Sequence, residues 1–154
     1  MPVLHLPINW KKVTHFSKDE QIYYNGKMVN AWGNPKKINP KLVYNLDALR
    51  IQTGVPIHLT SPAFVDSGHS NKSQHYKGNA ADTRPKGISY LEYYLACERF
   101  QFTGLGLYDT GFIHLDVRPK DYLQSRWIRI DGKYLAFNKE NFLKVMSIVD
   151  KLSL

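Results

Sequence analysis

The run Gly111-Phe112-Ile113-His114-Leu115-Asp116-Val117-Arg118 constrains the fold of this chain more than any other. Its alternation predicts a strand over 112–117, with Ile113, Leu115 and Val117 on one face and Phe112, His114 and Asp116 on the other. The aliphatic face belongs in a core. The opposite face carries an imidazole and a carboxylate two residues apart, which are costly to bury unless they serve each other, water or a metal. Any fold must therefore cover one side of this strand with apolar groups and set polar chemistry against the other.

A second segment, Ser73-Gln74-His75-Tyr76-Lys77-Gly78-Asn79-Ala80-Ala81-Asp82, carries another imidazole and carboxylate. Gly78-Asn79 permits a tight turn between them, so His75 and Asp82 can aim at one point. With His114 they make two imidazoles and one carboxylate, the donor set of an open catalytic zinc site with a position left for water. Zinc held there would lower the pKa of water and polarise a carbonyl, which is what amide hydrolysis requires. The residues alone leave a second reading open. A histidine in a strand also serves as a hydrogen-bonded core or surface residue, and spacing does not choose between the two.

At 154 residues the chain can bury one core and is too short for two ordinary domains. Hydrophobic residues at 43% and charged residues at 22% place it among soluble globular proteins. The net charge of +8 favours anionic partners: nucleic acid, anionic membrane or cell-wall polymer. The basic residues are scattered, however, and no nucleic-acid recognition motif accompanies them, so no nucleic-acid partner is expected. No apolar run reaches transmembrane length, and the N-terminal run Met1–Pro7 lacks the pattern of a secretory signal. Cys97 is the single cysteine, which excludes an intramolecular disulfide and reads as a buried small hydrophobe.

Ser17 and Glu20 form a capping-box pattern that predicts a helix start at Phe16–Glu20. Residues 25–37 read as turns and a loop. Asn39-Pro40 opens a helix over 40–53, with Leu42, Val43, Leu46 and Leu49 at helical spacing and Gly54 ending it. A short β run at 56–60, a loop at 61–74 and a strand end at 80–83 follow. Ser89 caps a helix over 89–101 whose inner face carries Leu91, Tyr94, Leu95 and Glu98. Strands at 105–108 and 112–117 flank a turn at 109–111, and Asp131-Gly132 joins hairpin strands at 126–130 and 133–137. A terminal helix over 138–152 turns Phe142, Val145, Met146 and Val149 inward. This order predicts one α+β domain over 1–154, a small antiparallel sheet with flanking helices.

The two histidine segments, with Gly104-Leu105-Gly106-Leu107-Tyr108, resemble the zinc D-Ala-D-Ala carboxypeptidase family, and most of all the small peptidase domain of phage and bacterial cell-wall enzymes. That family's pattern is Ser-Gln-His, a Gly-containing turn, Ala-x-Asp, and later Phe-x-His-x-Asp. Residues 16–20 and 39–50 are similar to its entry segment and first helix. The likeness covers about residues 14–119, leaving 120–154 as a hairpin and a C-terminal helix. The resemblance implies a DD-peptidase or hedgehog-like fold, His75, Asp82 and His114 as metal ligands, and zinc as cofactor. It also implies peptidoglycan stem peptides as substrate, cut by a carboxypeptidase or endopeptidase. A monomer acting at the bacterial cell wall is expected, reached by endolysin-like phage release or within a virion.

Members of the wider family carry an acidic residue three positions before the last histidine ligand, where this chain has Gly111. Asp116 is then the first choice to handle the water proton and Asp109 the second; either could instead orient an imidazole. Ser73 and Gln74 would orient the site or simply make its turn. The family's substrate-holding arginine has no counterpart in Ser61-Pro62-Ala63-Phe64, so His69 or Arg84 would have to replace it. These departures motivate an alternative: a non-catalytic wall-binding or virion structural protein that keeps the peptidase fold. Trp127, Tyr134 and Phe137 read first as core packing, with a groove wall as the other possibility.

Overall fold

A computed structural model describes residues 5–69, 73–119 and 125–152. Residues 1–4 of the run weighed as a leader, and 70–72 of the expected loop, lie outside the described residues. In chain order the strands and α-helices are β1 Gln21–Tyr24, β2 Lys27–Asn30, α1 Pro40–Thr53, β3 Ile57–Leu59, β4 Ala80–Pro85, α2 Tyr90–Glu98, β5 Gly104–Tyr108, β6 Ile113–Asp116, β7 Ser125–Ile130, β8 Lys133–Leu135 and α3 Lys139–Asp150. Short 3-10 turns occupy Trp10–Lys12, Pro35–Lys37 and Gln74–Lys77.

The α+β reading holds, but the sheet is larger and mixed. Six strands run in the order β3-β4-β6-β5-β7-β8, and β1-β2 form a separate ribbon. All neighbours are antiparallel except β5 and β7, which are parallel. The small antiparallel sheet expected from the sequence is thereby corrected. Turn signals report only the local hairpins β5–β6 and β7–β8. They are silent on β6 and β7 lying at opposite edges of β5, which makes β7 run alongside β5.

The expected helix start at Phe16–Glu20 is also corrected. Its capping-box bonds form, with the Ser17 amide donating to Glu20 Oε2 at 3.2 Å and the Asp19 amide to Ser17 Oγ at 3.0 Å. They close a single turn, after which the chain enters β1. The loop expected at 25–37 contains the β1–β2 hairpin, turned by Asn25 and Gly26 at φ of 50° and 83°. That is the primed-turn chemistry that Asn-Gly favours.

Helix α1 forms where its caps predict. The Asn39 side chain accepts from the Lys41 amide at 3.0 Å, and the Gly54 amide closes the last turn on the Arg50 carbonyl. Leu42, Val43, Leu46 and Leu49 are wholly buried. Helix α2 is shorter than expected and presents a different face. Leu91 and Leu95 are 43% and 52% exposed, while Tyr90, Tyr93, Tyr94 and Cys97 are buried. The tyrosines win because each hydroxyl finds a partner: Tyr90 Oη donates to the Phe112 carbonyl at 2.6 Å, and Tyr93 Oη lies 2.6 Å from Thr83 Oγ1. Those bonds let large aromatic areas enter the core without an orphan polar group. Burial also pushes the Cys97 thiol pKa well up, consistent with an inert core cysteine. Val145, Met146 and Val149 of α3 are buried as expected.

Alternation along the strands divides the sheet's side chains between two faces. Ala81, Leu105, Leu107, Ile113, Leu115 and Ile128 join the helices in one apolar cluster. Each fully buried Leu or Ile contributes about 1.5–3 kcal/mol, so this face fixes which way every strand is turned. The opposite face is left to Asp82, His114, Gly106 and Trp127.

Candidate metal centre

Sheet pairing places these four residues in one row across four strands. Asp82 on β4 faces His114 on β6, His114 faces Gly106 on β5, and Gly106 faces Trp127 on β7. His75 comes to the row from the Gln74–Lys77 turn. Ser73 caps that turn by accepting the His75 amide, and Gly78 ends it at φ 70°. A Cβ at Gly78 would lie 1.8 Å from the Lys37 carbonyl oxygen. Gln74 is buried, accepting from Asn79 Nδ2 at 3.0 Å, and Asn79 accepts in turn from Asn39, the cap of α1. The turn bearing His75 is thus tied to the first helix.

One donor atom from each of His75, Asp82 and His114 lies within 4.8 Å of the others, a group that could hold a metal ion. His75 Nε2 is 3.4 Å from Asp82 Oδ1, and His114 Nδ1 is 3.0 Å from the same oxygen. Ligands of a tetrahedral zinc sit about 3.3 Å apart, given bonds of about 2.0–2.1 Å. The donor chemistry agrees. His75 Nδ1 donates to the Ala63 carbonyl at 2.8 Å, which fixes that tautomer. Without a proton on Nε2, that lone pair would meet a carboxylate oxygen 3.4 Å away, acceptor against acceptor, and either a proton or a cation between them resolves the conflict. Asp82 Oδ2 accepts from Ser61 Oγ at 3.4 Å. The segment that lacks the expected arginine therefore holds two of the three donor residues in place, through Ser61 and Ala63.

Asp116 lies behind His114. Its side chain is wholly buried and accepts from His114 Nε2 at 2.9 Å and from Arg118 Nη2 and Nε at 2.6 and 2.8 Å. This is the position of a carboxylate that orients an imidazole, and it sets His114 Nδ1 toward Asp82. Burial alone would push the His114 pKa down. Its hydrogen bonds to Asp116 and Asp82 outweigh that and push it up to about 9 in the metal-free protein. Burial would likewise raise Asp82, but bonds from His114 and His75 hold it far below the usual carboxylate range. Metal-free, the centre holds a proton where a cation would sit.

Two glycines on β5 make room for this arrangement. A Cβ at Gly104 would lie 2.1 Å from Asp116 Oδ2, and one at Gly106 would lie 2.4 Å from the Trp127 ring. Trp127 packs against His114 with centroids 5.0 Å apart and donates from Nε1 to Tyr108 Oη.

The three donor residues line a cleft of about 450 Å³. Ser73, Gln74 and His69 border it on the His75 side, and His69 stacks on the His75 ring at 4.8 Å. Burial, and then the neighbouring His75, lower the His69 pKa. Tyr108, Phe112, Trp127, Arg129 and Tyr134 form the other wall, with Arg118 beside Trp127.

Two residues singled out in the sequence are placed elsewhere. Asp109 Oδ2 accepts from the Asp131 amide at 2.9 Å, tying the β5–β6 turn to the β7–β8 hairpin. Arg84 donates to the Thr110 carbonyl at 3.0 Å and borders a different cleft, with His58 and Tyr90. Phe137 packs on Tyr94 and Phe142 as core, whereas Trp127 and Tyr134 are groove wall. Arg118, Tyr108 and Arg129 had no role from sequence. The period-2 pattern Trp127-Ile128-Arg129-Ile130 was the available signal for Arg129, since it puts Arg129 on the Trp127 face.

A family model described as Peptidase M15 matches residues 14–116. The chain belongs to that family. No curated protein and no solved structure matches it. The match contains all three donor residues and ends at Asp116, so the part of the far cleft wall that β7 and β8 supply comes from sequence beyond it.

Proposed function

We propose that this protein is a zinc-dependent peptidase that hydrolyses peptide bonds in the stem peptides of bacterial peptidoglycan. The observation that carries the reading is the convergence of His75 Nε2, Asp82 Oδ1 and His114 Nδ1 at the floor of an open cleft. Zinc held there supplies Lewis acidity and a water of lowered pKa. His75, Asp82 and His114 hold the ion, and Asp116, braced by Arg118, orients His114 as a positioning residue. Ser73 and Gln74 keep the His75 turn in shape. His69 is the one imidazole or carboxylate lining the cleft outside the three donors, among the described residues, and proton transfer during hydrolysis falls to it. Tyr108, whose pKa burial raises, stays a phenol able to donate to a substrate oxygen.

The peptidoglycan assignment rests on the motif resemblance to cell-wall peptidases and on the net charge of +8, which draws the protein to an anionic wall. It includes action as a monomer at the wall after phage-type release or virion delivery. Purified peptidoglycan incubated with zinc-loaded protein should release new amino groups, and chelator should abolish the release. Hydrolysis that persists after zinc removal would refute the proposal.

A second reading is favoured by one observation: Gly111 occupies the family's acidic position, and Asp82 is the only carboxylate lining the cleft among the described residues. A wall-binding or virion structural protein with this fold would bind zinc and sediment with peptidoglycan but release no amino groups.

A further inference from the structure

The geometry points to Arg129, steadied by Tyr134, as the residue that selects peptides carrying a free carboxylate close to the bond that is cut. The inference deepens the peptidase reading and rests on it. Arg129 lies one row beyond the metal row on the same face, opposite Tyr108 on β5 and Tyr134 on β8. It is two strands from His114 and two residues along. At about 4.8 Å between strands and about 3.4 Å per residue, their Cα atoms are roughly 12 Å apart. His114 and Arg129 both line the cleft that lies over that span. A span of that order is at most about three peptide units, at about 3.5 Å each, so a carboxylate held by Arg129 belongs to a residue close to the metal-binding group.

The charge of Arg129 is uncommitted. The other arginine in the cleft, Arg118, is engaged with Asp116. Arg129 donates from Nη1 to Tyr134 Oη at 3.0 Å, with its guanidinium 4.7 Å from the Tyr134 ring centre. No carboxylate bridges it among the described residues. A guanidinium fixed on one side by a phenol, with its other donors unmatched beside a metal-binding group, suits bidentate capture of a carboxylate. Arg84 cannot serve this cleft, because its guanidinium is turned to Thr110. The anchor belongs to β7, beyond the segment that the family match covers.

Two carboxylates near a stem-peptide bond have this chemistry: a C-terminal one and the α-carboxylate of a γ-linked D-glutamate. The test compares zinc-loaded wild-type protein with Arg129→Gln, Arg129→Lys and Tyr134→Phe. One substrate pair is an acylated L-Lys-D-Ala-D-Ala and its C-terminal amide; the other is a γ-D-Glu peptide and its α-amide. Wild-type protein should prefer the carboxylate of one pair by about 10–100-fold, read in KM, the range for a charge-assisted bidentate contact. That preference should fall to about 3-fold or less in Arg129→Gln, be partly restored in Arg129→Lys, and weaken in Tyr134→Phe. Calorimetric binding of the same peptides to metal-free protein should show the same order. No preference in either pair, or one that Arg129→Gln leaves intact, overturns the inference. If nothing is cleaved, the peptidase reading fails while the binding arm still decides the role of Arg129.

Discussion

Replacing Asp116 by Asn changes one charge behind the metal centre without changing side-chain shape. The carboxylate is 0% exposed and accepts from His114 at 2.9 Å and from Arg118 at 2.6, 2.8 and 3.2 Å. Asparagine retains one acceptor and turns an amide N–H₂ on groups that themselves donate. Breaking a buried ion pair costs about 3–5 kcal/mol when both charges are sealed off. Here the Arg118 side chain is 18% exposed and recovers part of its hydration, so the metal-free protein should lose about 2–3 kcal/mol. Zinc affinity falls separately, because the carboxylate that orients His114 Nδ1 is gone; loss of such a partner typically costs about 10–100-fold. Urea unfolding in chelator measures the first quantity and competition with a metal-sensitive dye the second. A variant with stability within about 0.5 kcal/mol and zinc affinity within about 2-fold of wild type would refute the assignment of Asp116 as the group that orients His114.

The metal-free protein should depend on pH in a set direction. The His114 pKa is raised from 6.5 to about 9, so its contribution is complete below about pH 6.5 and lost as pH rises through 9. Asp82 is shifted down from 3.8, so its contribution is complete above about pH 4 and lost on acidification. Relative to His114→Gln, metal-free wild-type protein should lose on the order of 3 kcal/mol between pH 6 and 10; a flat difference contradicts the ion-pair account. Gly78→Ala should lose about 2–5 kcal/mol from left-handed strain and the clash with Lys37, and zinc binding with it, in denaturation and metal analysis. Asp109→Ala should cost about 0.5–1.5 kcal/mol through the lost bond to the Asp131 amide and leave zinc affinity unchanged; a tenfold loss of affinity would place Asp109 at the metal.

Legibility in the sequence followed the range of the forces involved. The α1 caps, the Asp131-Gly132 turn and the inner face of α3 are local, and each was readable. The His114 strand was readable because a one-sided polar face in a strand has few explanations. The Ser17–Glu20 pair was misleading because a capping box and a single turn before a strand share the same hydrogen bonds. The buried face of α2 is not legible in its spacing, because Tyr93 and Tyr90 gain their advantage from partners at Thr83 and Phe112, which no helical periodicity reveals. Asp116 was ambiguous for a similar reason: its alternation gives its face, but only the position of Arg118 makes it a buried brace. The parallel pairing of β7 with β5, which brings Trp127 and Arg129 to the cleft, had no local signature.

The pairing of Asp82 with His114 across β4 and β6 makes chelation a checkpoint on assembly. Were either strand displaced by a single position, one donor would turn toward the helices and the claw would open. Bound zinc would therefore reward only the correctly aligned sheet, adding stability that grows with the logarithm of free metal over its dissociation constant. A chain that matures where zinc is scarce should linger among misaligned forms, and supplying the ion should draw it to the active alignment.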